Sequence, residues 1–338
     1  MSFPLMNGVR AVSRRCVVRG IVASAVAVLA AGALAACGNA QAGSGAAADA
    51  SKVQVVASFY PMADFAQKVG GDHVEVTNLV PAGTEPHEWE PSPKDITKIQ
   101  SAQVFVYNGA SMEGWVDDAL KSTDTSKVQV VEASKGLDLL PGEDDHEHEG
   151  EGESSDENAH EENEYNPHVW LYPADAKHEM ENIKDALVKA DPDHKDDYEA
   201  NYKKYAEEFD QLDKDYKEQI AAAKGKTLVV SHDAYGYLAK AYGLETKPIA
   251  GMDAEGEPDA KTMAQIIDYV KANNVKVIFS EDLVSPKVAQ QIADATGAEC
   301  KVLNPLEGLT DEQLKDGEDY VSVMKSNLKE IVDALNKE

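Results

Sequence analysis

Short runs of β-branched and apolar residues alternate along the chain with longer segments that have helical periodicity. The runs predict β-strands at residues 53–58, 74–80, 103–107 and 128–131, and again at 227–231, 245–250, 275–279 and 300–303. The intervening segments predict helices at 62–69 and 93–101, then at 235–242, 259–273, 286–296 and 317–336. Strands that alternate with crossover helices form parallel sheets. We therefore predict an α/β protein with two Rossmann-like lobes, each built on a parallel sheet.

A long helix is predicted between the two lobes, at residues 191–224. Asp191 and Pro192 are typical of the first positions of a helix, and neither glycine nor proline follows before Lys224. One face of this helix is apolar, with residues at spacings of three and four: Tyr198, Tyr202, Tyr205, Phe209, Leu212, Tyr216 and Ile220. The spacing fits a rigid strut along both lobes and an ordinary packed helix equally well. The predicted lobes cover residues 52–190 and 225–338.

The first 36 residues have the layout of a signal peptide, in which a basic segment precedes an apolar run at residues 20–36. The run is at the short limit for crossing a bilayer, so a retained membrane anchor is the alternative interpretation. The segment from Leu34 to Cys37 resembles the lipobox that is cleaved and lipidated in bacterial lipoproteins. We therefore expect export, followed by a lipid anchor on Cys37 at the extracytoplasmic face of the cell membrane, which is periplasmic in a cell with an outer membrane. Residues 37–51 then form a flexible tether.

Charge and cysteine content exclude two classes of function. The chain has 61 acidic and 32 basic residues and a formal charge of -29, which disfavours binding to nucleic acid through a basic surface. Its three cysteines, at positions 16, 37 and 300, are too few for a disulfide framework. We expect Cys300 to be buried as a small hydrophobe.

An acidic segment at residues 143–164 interrupts the first lobe. Twelve of its 22 residues are Asp or Glu, and three are histidines: His146, His148 and His160. Because it has almost no apolar residues, we predict a disordered loop over residues 141–165. Its histidines and carboxylates are suited to weak auxiliary binding of Zn²⁺, and the alternative is an acidic spacer with incidental histidines.

Four candidate metal ligands lie beyond the carboxyl ends of predicted strands, where open parallel sheets bind their ligands. His87 follows the strand that ends at residue 80, and His232 follows the strand 227–231 directly. Glu307 follows the strand 300–303, and His168 lies in the segment after the acidic loop. Three imidazoles and one carboxylate complete a four-coordinate shell suited to Zn²⁺. The sequence therefore predicts one zinc site between the lobes.

Two rival carboxylates remain as alternatives to Glu307. Glu281 ends the strand 275–279 and is the second choice, and Glu85 is two residues from His87. The remaining ordered histidines are interpreted as surface residues: His73 in a turn, His178 on a helix and His194 near the start of a helix.

Five ordered motifs resemble the metal-binding solute-binding lipoproteins of bacterial ABC importers, in their zinc-uptake branch. They are Ser-Phe-Tyr-Pro at 58–61, the segment 81–93 around His87, Asn-Pro-His-Val-Trp-Leu at 166–171, the segment 231–238 around His232 and the segment 303–309 around Glu307. The resemblance implies two α/β lobes joined by a long rigid helix, with metal ligands at His87, His168, His232 and Glu307. Related manganese carriers have a carboxylate where this chain has His232, and Tyr172 departs from the Asp that the family often has there.

The resemblance also implies partners and leaves alternatives. We expect a monomer that delivers Zn²⁺ to an ABC transporter permease with its cytoplasmic ATPase, and that binds no nucleic acid. A carrier of manganese or another divalent metal and a surface adhesin lipoprotein are the alternatives. A metalloenzyme is disfavoured, because the sequence contains neither a His-Glu-x-x-His motif nor a glycine-rich phosphate loop.

Overall fold

The computed structural model of the protein describes residues 51–142 and 165–337. Two four-stranded parallel sheets form the centres of two lobes, and their strand orders correspond: β2-β1-β3-β4 in the first and β6-β5-β7-β8 in the second. The strands are β1 Val53–Ala57, β2 Val74–Asn78, β3 Val104–Tyr107, β4 Gln129–Glu132, β5 Thr227–Val230, β6 Glu245–Pro248, β7 Val277–Ser280 and β8 Glu299–Val302. Each strand begins and ends within two residues of its predicted bounds. The prediction of a two-lobed α/β protein is therefore confirmed.

Helices connect these strands and cover the sheets. In the described residues they are α1 Tyr60–Gly70, α2 Pro93–Ser101, α3 Val116–Lys121, α4 Pro173–Ala190, α5 Lys195–Ala222, α6 Gly236–Tyr242, α7 Ala260–Ala272, α8 Lys287–Thr296, α9 Asp311–Asp316 and α10 Tyr320–Leu335. The sequence predicts a helix around His178 without bounds, and the structure shows that this helix is α4. The buried face of α4 includes Glu179 and two alanines, Ala176 and Ala186, which weakens the apolar pattern by which a helix is recognised.

The long helix α5 begins at Lys195, later than predicted, because a short 3₁₀ helix at Pro192–His194 precedes it. Asp191 does not cap the backbone of α5; its Oδ2 accepts a hydrogen bond from the Tyr198 hydroxyl at 2.7 Å and lies 2.6 Å from Nδ1 of His194. The predicted apolar stripe is confirmed, since five of its seven members are buried and the other two pack against the core. The helix contacts α1 and α4 on one side and α6 and α10 on the other, as a strut along both lobes does.

The two lobes share one apolar core. Residues of both sheets, such as Val55 and Val230, belong to the same buried cluster. The first turn of α10 also returns to the first lobe, where the ring of Tyr320 lies 5.0 Å from that of Phe65 and Asp319 pairs with Lys68 at 2.8 Å. Because a wide rotation of the lobes would expose this core to water, we expect only small movements between them.

Several sequence predictions fall outside the described residues: the signal peptide at 1–36, the lipidated Cys37 with most of its tether, and the acidic segment 143–164. Within the described residues, no helix combines the length and the apolar character that crossing a bilayer requires. Cys300 is only half-buried, beside a smaller apolar cluster of the second lobe, because it lies on the edge strand β8.

Candidate metal centre

Four side chains meet where the loops at the carboxyl ends of the two sheets face each other. His87 lies in the loop between β2 and α2, His232 follows β5 by two residues, and Glu307 lies in the loop after β8. His168 stands immediately before a 3₁₀ helix at Val169–Leu171, which leads into α4. The structure thus brings together the four side chains that the sequence predicted as metal ligands.

The donor atoms of these four side chains all lie within 4.8 Å of one another, and five of their six separations are 3.0–3.3 Å. Nε2 of His168 is 3.3 Å from Nε2 of His87, 3.1 Å from Nε2 of His232 and 3.0 Å from Oε1 of Glu307. The same Oε1 is 3.3 Å from Nε2 of His87 and 3.0 Å from Nε2 of His232. Around zinc, with bonds of about 2.0–2.1 Å, tetrahedral ligands lie about 3.3–3.4 Å apart. The four donors therefore fit a tetrahedral zinc ion after a slight expansion.

Buried oxygen atoms fix the outward-facing nitrogens of two imidazole rings. Nδ1 of His168 lies 2.9 Å from Oδ1 of Asn166, and Nδ1 of His232 lies 2.6 Å from Oε1 of Glu281. Because both oxygens accept hydrogen bonds, each Nδ1 carries a proton and each Nε2 is directed at the centre of the group. Among the described residues no hydrogen bond to Nδ1 of His87 is recorded, so that ring is held less firmly.

Burial and neighbouring charges have opposite effects on the pKa values of these four side chains. Burial alone would lower the pKa of His232, but the charges of Glu281 and Glu307 outweigh it and raise this pKa well above its ordinary value. Burial would raise the pKa of Glu307, yet the charge of His232 and hydrogen bonds from the imidazoles hold it well below its usual range. For His168 burial dominates and lowers the pKa to about 3. Burial would also lower the pKa of His87, but Glu307 and Glu85 raise it. Protons on His232 and His87 therefore compete with a metal ion for these two imidazoles.

Solvent reaches the group from the side of His87. The side chain of His87 is 13% exposed, whereas those of the other three members are at most 1% exposed. An open groove of about 690 Å³ extends outward from His87, and acidic side chains, including Glu88, Glu90 and Asp253, line it. A cation approaching along this groove meets His87 first.

Neither alternative carboxylate joins the four donors. Glu281 is 4% exposed and lies on the outer side of the His232 ring, where it accepts a hydrogen bond instead of facing the centre. Glu85 accepts the backbone N–H of His87 at 3.0 Å, and its Oε1 is 4.0 Å from Nε2 of that ring. Of the three carboxylates considered from the sequence, the structure brings Glu307 into the group.

The other histidines have different contacts. His73 and His194 stack on each other with ring centroids 3.8 Å apart, and Nε2 of His178 lies 3.0 Å from the carbonyl oxygen of Lys135. His146, His148 and His160 lie outside the described residues, so their auxiliary role stays a prediction.

The loop that carries Glu307 is held in a strained conformation. Leu306 has a φ of 58°, in the left-handed region that costs about 1–2 kcal/mol for a residue with a side chain. Oδ1 of Asn304 accepts the backbone N–H of Leu306 at 2.6 Å, and Asn327 on α10 bonds to both backbone groups of Asn304. These bonds direct the Glu307 side chain at the three imidazoles.

Sequence reasoning overlooked Asn166, which contacts His168. Its Oδ1 also accepts the backbone N–H of His168 at 3.1 Å, two residues further along the chain. An asparagine that bonds to the backbone two residues on is typical of an Asx turn, so the Asn-Pro-His order was a usable signal.

Comparison with known sequences identifies relatives that cover most of the chain. The family described as "Zinc-uptake complex component A periplasmic" matches residues 55–334. The high-affinity zinc uptake system protein ZnuA of Bacillus subtilis is 45% identical over 300 residues, which are 88% of this chain and 92% of that protein. The zinc-binding lipoprotein AdcA of Streptococcus pneumoniae is 40% identical over 85% of this chain, which corresponds to 56% of AdcA.

Solved structures show the same fold. The Zn(II)-bound ZnuA-like domain of Streptococcus pneumoniae AdcA has a TM-score of 0.72 and 39% identity, covering 84% of this chain and 99% of that one. The laminin-binding protein Lmb of Streptococcus agalactiae, described as bifunctional with adhesin and metal transporting activity, has a TM-score of 0.73 and 36% identity over 84% of this chain and 99% of Lmb. With its fold, its four converging donors and a family match over nearly all described residues, the chain belongs to the family of zinc-uptake complex A components.

Proposed function

We propose that this chain is the solute-binding component of a zinc importer, which captures Zn²⁺ outside the cytoplasm and delivers it to an ABC permease. The observation that carries the proposal is the group of three imidazole nitrogens and one carboxylate oxygen at tetrahedral separations. Imidazole favours zinc over manganese, which binds nitrogen more weakly and prefers oxygen ligands. The zinc-binding relatives support the same cargo.

Capture, not catalysis, is the chemistry that this donor set favours. A catalytic zinc ion usually has three protein ligands and one position for water, whereas His87, His168, His232 and Glu307 fill four positions with protein atoms. The family is a transport component and not an enzyme family.

The same geometry explains how zinc is held and released. Glu307 and His232 come from loops of the second lobe and His87 from a loop of the first, so the ion joins both lobes. Zinc replaces protons on His232 and His87, whose pKa values are raised by the neighbouring carboxylates. Because three of the four ligands are inaccessible to solvent, release requires a small displacement of the His87 loop or of the lobes, which docking on the permease supplies.

The proposal includes the location of the protein. A lipid on Cys37 anchors a monomer to the extracytoplasmic face of the membrane, and the tether lets the lobes reach the permease, whose cytoplasmic ATPase drives uptake. The name of the relative AdcA, a zinc-binding lipoprotein, supports this anchor.

The test is metal analysis of the purified chain from residue 38 onward, with competition between Zn²⁺ and Mn²⁺ at fixed buffer and pH. We expect one tightly bound zinc per chain and a clear preference for zinc. A chain that binds no zinc, or that prefers manganese, would refute the proposed cargo. Deletion of residues 143–164 should leave the tight site intact, since its four donors lie outside that segment.

A second role as a surface adhesin is a candidate because Lmb, which is described as having both activities, shares the fold at 36% identity. Binding of the chain to immobilised laminin, with and without zinc, tests this role independently of metal capture.

A further inference from the structure

The side chain of Asn166 lies between two parts of the metal centre and is 3% exposed. Its Oδ1 accepts hydrogen bonds from the backbone N–H of His168 at 3.1 Å and from Nδ1 of the same residue at 2.9 Å. Its Nδ2 donates to the carbonyl oxygen of Asp233 at 2.8 Å. Because Asp233 follows His232 directly, one amide contacts the ring of one zinc donor and the backbone next to another.

Its neighbours determine which way the amide faces. The backbone N–H of His168 can only donate, and the carbonyl of Asp233 can only accept. The oxygen of the Asn166 amide must therefore face His168 and its nitrogen must face Asp233. No other side chain of this size combines an acceptor and a donor in this geometry, since Asp lacks the donor.

The backbone of Asn166 is also held from both lobes. Its N–H donates to the carbonyl of Leu140 at 2.9 Å, and its carbonyl accepts the hydroxyl of Tyr237 at 2.7 Å. The same hydroxyl accepts the N–H of Leu140 at 2.9 Å. Gly236 packs against the same residues, since a Cβ there would lie 3.3 Å from Cδ1 of Leu140 and 3.5 Å from Nδ2 of Asn166.

The following residues connect the same segment to the rest of the centre. Asn108, at the end of β3 in the first lobe, donates to the carbonyl of Pro167 at 3.0 Å. Trp170 donates through Nε1 to the carbonyl of Pro305 at 2.8 Å, two residues before Glu307. The segment that carries His168 is thus bonded to the first lobe and to the loops of both second-lobe donors.

We propose that Asn166 is a positioning residue for zinc capture: it holds the His168 ring with Nε2 toward the ion and ties that ring to the loop carrying His232. The amide is not itself a ligand. The Asn166 amide holds donors from separate segments of the chain in one preformed set. Ordering these donors therefore costs less free energy when zinc binds. This inference rests on the proposed function, because it assumes that these side chains bind zinc.

The test compares Asn166→Ala and Asn166→Asp with Asn182→Ala in the chain from residue 38 onward. Asn182 on α4 is a matched control, since its Nδ2 donates to the carbonyls of Ala133 and Lys135 at 2.8 and 3.0 Å. Zinc affinity is measured by competition with a chelator, the geometry of the site by the visible spectrum of the Co²⁺ complex, and the stability of the metal-free chain by thermal unfolding.

We expect Asn166→Ala to lower zinc affinity by about 10- to 100-fold, the usual cost of removing a partner of a metal ligand, and to alter the Co²⁺ spectrum. Asn166→Asp keeps the acceptor for His168 but loses the donor to Asp233, and its added charge acts on the basicity of His168, so this variant is judged by the Co²⁺ spectrum, which should differ from that of the wild type. Asn182→Ala should keep the zinc affinity and Co²⁺ spectrum of the wild type, even where it lowers the unfolding temperature.

Wild-type zinc affinity and Co²⁺ spectrum in Asn166→Ala would overturn the inference, as would an equal loss of affinity in Asn182→Ala. If Asn166→Ala does not fold, Asn166→Asp decides, and a wild-type Co²⁺ spectrum in that variant overturns the inference. A wild-type chain that binds no zinc refutes the proposed function itself, which keeps the two failures distinct.

Discussion

The two lobes have the same strand order, but different residues lie at the carboxyl ends of their two central strands. In each sheet the order reverses between the two central strands, β1 and β3 in the first and β5 and β7 in the second, where open parallel sheets bind ligands. In the second lobe these strands lead into His232 and Glu281, a buried pair 2.6 Å apart. In the first lobe they lead into Ser58 and Asn108, which bind a carboxylate of their own chain.

That carboxylate is Glu113. It accepts hydrogen bonds from the hydroxyl of Ser58 at 2.6 Å and from the backbone N–H groups of Asn108 and Gly109 at 2.8 and 3.0 Å. In the first lobe Glu113 occupies the central position, and the candidate metal ligand His87 comes from the loop after the edge strand β2. The strand order therefore creates a possible binding position in both lobes, and the residues at the strand ends determine whether a metal can bind there.

Substitutions at the central strand ends of the two lobes should differ most in their effect on zinc affinity. His232→Ala removes one of four donors and leaves Glu281 buried without its partner, so zinc affinity should fall by more than the 10- to 100-fold that is typical of losing an indirect contact. Ser58→Ala, at the corresponding strand end of the first lobe, should leave zinc affinity unchanged. Competitive titration of both variants checks this, and similar losses in both would abolish the distinction.

Lowering the pH should weaken zinc binding, because protons compete with zinc for His232 in the second lobe. The charges of Glu281 and Glu307 raise the pKa of His232, so zinc competes with a proton at neutral pH and increasingly below it. Because the pKa of His87 is raised too, one or two protons are displaced, and affinity should fall about ten- to a hundredfold for each pH unit between 7 and 5. Titration across this range checks the slope, and a flat profile would contradict displacement of a proton.

Replacing the buried glutamate at the strand ends of each lobe with glutamine should change zinc affinity in the second lobe only. Glu281→Gln keeps an oxygen for Nδ1 of His232 but removes the charge, so zinc affinity should fall by about tenfold. Glu113→Gln should not change it, because Glu113 contacts none of the four donors. Equal effects of the two substitutions on zinc affinity would show that the loss reflects general destabilisation.

The smallest expected effect concerns the stability of the metal-free chain. Burial raises the pKa of Glu113 from 4.5 to about 7, although hydrogen bonds from Ser58 and from backbone N–H groups oppose the shift. Between these values the unfolded chain releases a proton that the folded chain keeps, so stability falls with rising pH, by up to about 1.4 kcal/mol per unit. Glu113→Gln should flatten this decline between pH 5 and 7 in thermal unfolding, whereas Glu181→Gln, on α4, should not.

The strand ends explain how much of this could be predicted from the sequence. Periodicity located all eight strands, and residues just beyond them gave His87, His232 and Glu307 as candidates. Sequence could not assign Glu281 to the outer side of the His232 ring, because the orientation of a ring depends on contacts between β5 and β7. The Asn-Pro-His order indicates the local bond of Asn166 to His168, but its bond to Asp233, 67 residues away, depends on the packing of the lobes and could not be predicted.

The most direct test of the account is a crystal structure of the zinc-bound chain. We expect one zinc ion about 2.0–2.1 Å from Nε2 of His87, His168 and His232 and at about the same distance from a carboxylate oxygen of Glu307. Glu281 should remain on Nδ1 of His232. Zinc bound by Glu281 in place of Glu307, or bound away from these histidines, would contradict it.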